Sequence, residues 1–458
     1  MRYRRRHRTA LATAAALCVL PLGQGRPAGA AEAGGSSAYR PAASAKEVSG
    51  SASAAQGPLL RPGTYTDTIG PGGKKFYAVD LDARSDAYVS VVGAPAPGAA
   101  VGPEDGIRVA LRREDGQECG FGEAKFRDAD SGRPLADYAV RRARPDPGGC
   151  GHAGRYHVVV ERTGQAGDTY PTEIKYMTEP GLKEGTLAVT SGTGKWNPAP
   201  SPAPSQGPPS AWSQDPSSAS SPVTGRSPGR VTGGTGFNDA PAVGNGVWKD
   251  DLLPGQTRFY RIPVSWGQRL SVVADVPKAF APPGFHAPGG VRVGLNNPAR
   301  GYVGESVEDY RGMPKSVSLS TAPVAYENRL RGRSDPANAM RVAGWYYLQV
   351  GLHPKVGEVV SHPVPVVLRV TVDGTPRAAP AYDGDAVAAG FGVTADPEAV
   401  AGDSGAGRDA LRVIGYAGVS TGSALLCWLG GWWVAARQPV RRSPARYRVR
   451  TGSLMPRR

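Results

Sequence analysis

Residues 63–81 read GTYTDTIGPGGKKFYAVDL, and residues 246–264 read GVWKDDLLPGQTRFYRIPV. At a shift of 183 residues the two stretches align without a gap, matching Gly63, Tyr65, Asp67, Ile69, Pro71, Gly72, Phe76, Tyr77, Val79 and Leu81 with Gly246, Trp248, Asp250, Leu252, Pro254, Gly255, Phe259, Tyr260, Ile262 and Val264. Further blocks follow in the same order. Ser90-Val91-Val92 matches Ser271-Val272-Val273, Ile107 to Leu111 matches Val291 to Leu295, and Gly154, Tyr156, Val158 and Val160 match Gly344, Tyr346, Leu348 and Val350. Four blocks in one order identify a tandem duplication. Within each block apolar residues alternate, as in Tyr77, Val79, Leu81 and in Tyr260, Ile262, Val264, which is the period of a half-buried strand. Pro71-Gly72 and Pro254-Gly255 are turn dipeptides. The spacing of the strands and the lack of a long amphipathic helix predict an all-β chain of two antiparallel β-sandwiches, residues 57–180 and 237–374.

The order G-x-[YW]-x-D-x-[IL]-x-P-G-x-x-x-F-Y-x-[VI]-x-[LV], followed by G-x-Y-x-[VL]-x-V, is similar to the bacterial pre-peptidase C-terminal domain. The resemblance spans both units. It implies a jelly-roll-like sandwich of the kind appended to secreted enzymes and surface proteins, and its motifs are mostly turns, core aromatics and strands, so it implies fold more than activity. The second unit also resembles the region that follows the von Willebrand A domain in some secreted, membrane-anchored Gram-positive proteins. The D-x-S-x-S metal-adhesion pattern of that domain is absent, so the resemblance implies a surface location without metal-dependent adhesion.

The formal charge of +15 over 458 residues suggests a nucleic-acid binder until its distribution is considered. Residues 1–30 hold six arginines and no acid, and residues 437–458 hold eight arginines and no acid, which leaves 40 bases against 39 acids between them. The basic excess therefore belongs to the ends. Residues 1–8 are basic, 9–20 are an apolar run, and Ala28-Gly29-Ala30 is a small-residue cleavage pattern, so residues 1–30 are predicted to be a signal peptide cut after Ala30 or Ala31. Leu17 before Cys18 argues against a lipoprotein. Residues 413–436 carry no charge. As a helix they would extend about 36 Å, enough to span a bilayer. Trp428, Trp432 and Trp433 fall at its C-terminal end, where indole rings favour the interface, and Arg437, Arg441 and Arg442 begin the basic tail of 437–458. The expected topology is single-pass type I in the cell membrane, with the N-terminus and body extracellular and the tail cytoplasmic. Gly418 and Gly422 form a G-x-x-x-G pair, a candidate helix–helix contact for a homodimer. The same residues match G-x-S-x-G, which has no strand-turn-helix context there.

Composition predicts the remaining boundaries. Residues 31–56 are Ala/Ser/Gly-rich and read as a disordered mature N-terminus, 181–236 as a Pro/Ser/Gly-rich linker, and 375–412 as a stalk. With Cys18 in the signal peptide and Cys427 in the membrane helix, Cys119 and Cys150 are the pair left outside, and an extracytoplasmic pair in one domain predicts a disulfide.

The search for chemistry yields no catalytic, cofactor or metal assignment. The histidines, at 7, 152, 157, 286, 353 and 362, form no H-E-x-x-H, and there is no G-x-G-x-x-G, phosphate loop or C-x-x-C. Asp80, Asp82, Asp128 and Asp130 were candidates for calcium. Asp128-Ala129-Asp130 opens like an EF-hand loop, but Gly132, Arg133 and Ala139 break the pattern. Asp67 and Asp250 recur in both units and are expected at strand ends or turns. Trp248, Trp266, Trp345 and Tyr346 fit either a sugar-stacking face or the second core, with the core favoured. The expected function is non-catalytic binding or scaffolding at the cell surface, with an envelope protein or polysaccharide as ligand and no nucleic acid. An accessory subunit of a membrane or secretion complex, and an enzyme with a site between domains, are the alternatives.

Overall fold

The structure, a computed structural model, describes residues 38–127, 131–144, 148–164, 167–184, 228–332 and 335–393. The signal peptide, the apolar span 413–436 with its Trp and Gly positions, the arginine tail, and Asp128 and Asp130 lie outside the described residues. Among the described residues no helix is long and apolar enough to cross a membrane. The regular elements are strands and short 3-10 turns.

In the first unit the strands are β1 (Lys46–Glu47), β2 (Leu59–Leu60), β3 (Gly63–Ile69), β4 (Lys74–Leu81), β5 (Asp86–Gly93), β6 (Gly106–Arg113), β7 (Glu118–Lys125), β8 (Leu135–Arg141), β9 (Gly154–Thr163) and β10 (Tyr170–Glu179). They form two sheets, ordered β1-β3-β10-β5-β8 and β2-β4-β9-β6-β7. The second unit has β11 (Gly229–Arg230), β12 (Gly246–Leu252), β13 (Thr257–Val264), β14 (Arg269–Val276), β15 (Ala287–Asn296), β16 (Tyr302–Tyr310), β17 (Lys315–Ser320), β18 (Gly344–Leu352) and β19 (Val364–Asp373). Its sheets are ordered β11-β12-β19-β14-β17 and β13-β18-β15-β16. The two orders are the same topology. The inward sets Tyr77, Val79, Leu81 and Tyr260, Ile262, Val264 are all buried, so the period-two reading found the core faces. The all-β, sandwich-like class follows from these paired sheets.

The repeat begins earlier than the aligned blocks. β1 pairs in parallel with β3, Lys46 opposite Tyr65, and β11 pairs in parallel with β12, Gly229 opposite Trp248. In each unit this leading segment crosses the core tyrosine at a glycine. A Cβ on Gly50 would lie 2.6 Å from the Tyr77 ring, and one on Gly233 would lie 2.8 Å from that of Tyr260. The Gly50 N–H donates to Asp67 Oδ2 at 2.8 Å, and the Gly233 N–H donates to Asp250 Oδ2 at 2.7 Å. The Tyr77 and Tyr260 hydroxyls donate to the same two oxygens. The repeated aspartates are thus mid-strand anchors for the leading segment, not strand-end or turn caps. Burial alone would raise the Asp67 carboxyl. The donors Gly50, Lys75, Tyr77 and Thr68 together hold it below its ordinary value.

Three boundaries shift. In the expected disordered stretch 31–56, the described part, 38–56, carries β1, and Tyr39 donates to Glu173 Oε2 at 2.7 Å. The expected linker 181–236 has folded ends. Leu182 bridges Tyr382, and β11 lies at 229–230. The expected stalk 375–412 packs as far as it is described, to residue 393, with Tyr382, Ala386 and Phe391 buried in the core shared by the two units. Composition missed these segments because each contributes only one or two large apolar residues amid small polar ones.

Candidate functional site

The units are fused, and the seam is the best-built polar region of the molecule. The outward face of β10 carries Glu173, Lys175, Met177 and Glu179, a pattern that reads as solvated, and the neighbouring outward face of β5 carries Tyr88, Ser90 and Val92. The second unit covers both. Val92 and Ala136 cluster with Phe237, Ala240 and Phe259, while Tyr88 and Met177 join the second unit's core, Tyr88 meeting Phe391 at 5.1 Å.

Two buried carboxylates fix this seam. Glu173 accepts from Tyr39, from Asn238 and from Arg300 Nη1 at 2.9 Å, and Arg300 Nη2 donates to Asn238 Oδ1 at 2.8 Å. Glu179 accepts from the Tyr88 hydroxyl at 2.6 Å, the Tyr382 hydroxyl at 2.5 Å and Arg329 Nη2 at 2.9 Å. The exposures, 2% and 0% for Arg300 and Glu173 and 3% and 1% for Arg329 and Glu179, make both pairs fully interior. Burial would lower Arg329, yet the Glu179 carboxylate raises it further, so it stays charged. Such pairs add little net stability compared with apolar packing, but they penalise any arrangement that leaves one charge alone, which fixes one docking geometry.

Lys175, between these anchors and only partly solvated, has no ion-pair partner among the described residues. Burial, then the Arg300 charge, lowers its ammonium to about 8. Between that value and the ordinary lysine range the unfolded chain holds more protons, so stability rises as pH climbs through this window and the full penalty applies below it. Lys175→Met is therefore expected to raise stability at pH 7 by about 2 kcal/mol, allowing for the remaining solvent contact. It should also flatten the rise between pH 8 and 10, as read from urea midpoints. A variant that keeps the slope would refute the assignment.

Beside the anchors, edge strands of the two units leave an open cleft of about 460 Å³. β7 and β8 of the first unit form one wall, with the backbones so close that a Cβ on Gly122 would lie 2.4 Å from the Tyr138 carbonyl oxygen. β16 and the 3-10 turn Pro336–Ala339 form the other wall. Asp137 ties the walls together, accepting from the Glu123 N–H at 2.8 Å and the Tyr302 N–H at 3.0 Å. Asp335 is held by Arg331 at 2.9 Å and by the Ala337 N–H. Arg142 and Arg341 also line the cleft, and neither is ion-paired with a described carboxylate. Arg142 donates to the Arg329 carbonyl, and Arg341 donates to the Asn338 carbonyl at 2.7 Å and to the Asn338 side-chain oxygen. Burial, then the charge of Arg341, lowers Arg142. A second cleft, of about 260 Å³, shares Glu123 and Tyr302 as walls, and there Glu305 of the second unit meets Arg127 of the first at 2.7 Å.

Among the sequence-derived candidates, Cys119 and Cys150 are joined in a disulfide, and Cys119 lies on the cleft rim. Asp80 pairs with Arg155 at the surface, and Asp82 caps the turn at Arg84 and Ser85. Among the described residues, no group of three metal-ligating side chains forms. The aromatic quartet is dispersed. Trp266 and Tyr346 are core, Trp248 donates to the Gly244 carbonyl, and Trp345 packs on Arg261. His286 meets Asp309 at the surface, His353 caps a 3-10 turn, and His362 is exposed. Sequence reasoning missed the cleft residues Tyr138, Arg142 and Arg341, which belong to no spaced motif.

No family model and no curated protein matches the chain. Solved structures with some likeness include the pre-peptidase C-terminal domain of a Bacillus anthracis collagenase, 12% identical, covering 26% of this chain and 94% of that one with a TM-score of 0.19. The CBM22-1-CBM22-2 tandem domain of Paenibacillus barcinonensis Xyn10C is 10% identical, covering 71% and 95% with a TM-score of 0.17. The CUB1-EGF-CUB2 domain of human MASP-1/3 is 6% identical, covering 67% and 99% with a TM-score of 0.17.

Proposed function

We propose that this chain is a non-catalytic binding or scaffolding protein displayed outside the cell and held in the membrane by the helix expected at 413–436. The observation that carries the reading is the seam. Two copies of one sandwich are fused by buried ion pairs that leave a cleft built by both, a rigid surface of the kind that recognition requires. The duplicated fold places its polar residues as anchors, and the cleft offers hydrogen-bonding groups and aromatic walls without a nucleophile–base pair.

The test has two parts. The full chain, expressed in its cells, should remain with membranes through alkaline carbonate extraction and be trimmed by protease added outside intact cells. Purified in detergent, it should co-sediment with isolated envelope polysaccharide. Release by carbonate, or protection from external protease, refutes the anchored topology, and failure to sediment refutes the polysaccharide reading. One stoichiometric protein partner, lost when 413–436 is replaced by another span, would make the chain a complex subunit instead.

A further inference from the structure

We propose that the seam cleft binds an oxyanion, a carboxylate or phosphate carried on a polysaccharide, through Arg142, Arg341 and the Tyr138 hydroxyl. This deepens the binding reading above and rests on it. The described carboxylates lining the cleft are committed elsewhere. Asp137 holds two backbone N–H groups, Asp335 holds Arg331, and Glu123 faces Lys125 at 3.3 Å. Neither the Arg142 nor the Arg341 guanidinium is in contact with a described carboxylate, and the Asp86 charge acts on Arg142 from outside the cleft lining. Arg341 is 7% exposed, an unusual place for a cation satisfied only by one asparagine and by the Tyr138 ring 5.8 Å away. Burying a charge without a counter-charge is costly, and a bound anion removes that cost. Arg142 is an exposed residue of the cleft lining, and its repulsion from Arg341 is relieved by an anion placed against both.

Tyr138 is a second, independent observation. It lines the cleft, is 7% exposed, and its hydroxyl has no hydrogen-bond partner among the described residues. A buried hydroxyl left unsatisfied destabilises the fold unless a ligand meets it. As a donor with the Arg341 guanidinium over its ring, it suits an oxyanion. Tyr302 in the same wall is 44% exposed and supplies a ring face, which suits a sugar carrying the charge. A second cleft shares Glu123 and Tyr302 as lining residues, so a chain of sugars has more wall to meet than an isolated ion.

The experiment uses the full chain in non-ionic detergent and calorimetric titration with three probes, an oligogalacturonate, its methyl ester and a hexose phosphate. Expected are binding of at least one charged probe, weakening with added salt, and little binding of the ester. Arg142→Gln should weaken the charged probe about tenfold, the loss of one charge-assisted contact. Tyr138→Phe should weaken it severalfold while leaving the melting midpoint unchanged or higher, which a purely structural tyrosine would not do. The better charged probe identifies the anion. Binding of neither charged probe, equal binding of the ester, or unaltered binding in both variants overturns the proposal. If the variants still sediment with envelope polysaccharide as the parent does, the binding reading survives and only this site fails.

Discussion

Glu173→Ala is expected to destabilise the folded chain by about 3–5 kcal/mol, the cost of leaving a buried charge without its partner. The stranded group is Arg300, 2% exposed and held at the β15–β16 turn with a φ of 66°. Few non-glycine residues adopt that backbone, so the turn is locked in place by the same contact that it makes. Removing the carboxylate also takes the acceptor from the Tyr39 hydroxyl and leaves the Asn238 amide only the Arg40 carbonyl at 3.3 Å. Because Glu173 belongs to the first unit and Arg300 to the second, the loss falls on docking more than on either sandwich. Urea unfolding, expected as one transition for the parent, should split into two for the variant. Glu173→Leu combined with Arg300→Met removes both charges and should recover most of the loss. A single transition at the parental midpoint for Glu173→Ala would show that the seam does not depend on this pair.

The contrast between Phe76 and Phe259 shows how far the sequence could be read. Both stand in the same Phe-Tyr doublet, and the tyrosines do the same work in each unit. Phe76 lies near the surface with Lys74 over its ring, whereas Phe259 is fully buried against Phe237 because the first unit covers it. Alternation and turn chemistry specify each sandwich, since they are local properties of a strand and its neighbours. Which outer face is covered depends on the partner unit, and the alignment erases that difference. One signal was present in β5. Ala87-Tyr88-Val89-Ser90-Val91-Val92 does not alternate, and an apolar run broken only by a serine marks a strand buried on both faces. β10 carries no such signal, because Glu173, Lys175 and Glu179 are residue types of a solvated face.

The site was legible only where the residue type itself carries the information. Two cysteines in one domain that is expected outside the cell announce each other. Arg142 and Arg341 are 199 positions apart, in different units, and nothing about a single arginine tells whether a carboxylate faces it. The leading segment was readable in principle, because Val48 and Gly50 stand 183 residues before Val231 and Gly233, at the shift of the main block. Two short matches in low-complexity surroundings are weak until the topology repeats them.

Breaking the Cys119–Cys150 bond should cost about 3–4 kcal/mol, from the chain entropy that a loop of this length regains on unfolding. The bond joins the start of edge strand β7 to the loop before β9, at a Cα separation of 5.5 Å. The two ends differ in what else holds them. On the β9 side, the fully buried Arg141 donates to the carbonyls of Cys150, Gly151 and His152 as well as to those of Ser85 and Asp82, and the Tyr156 hydroxyl also donates to Cys150. β7 pairs only with β6 in its sheet. Reduction, or Cys119→Ser with Cys150→Ser, should therefore loosen β7 first. Hydrogen exchange should quicken across 118–125 while β9 stays protected, and the urea midpoint should fall. The second unit should respond least, since its equivalent loop is closed by Asn328, which donates to the carbonyls of Pro323 and Met340. Because β7 is a wall of the seam cleft, the reduced chain should also bind the charged probe more weakly while the ion pairs keep the units docked. Equal exchange in β7 and β9, or a midpoint unmoved by reduction, would place the stability of this corner in the Arg141 carbonyl cluster and not in the disulfide.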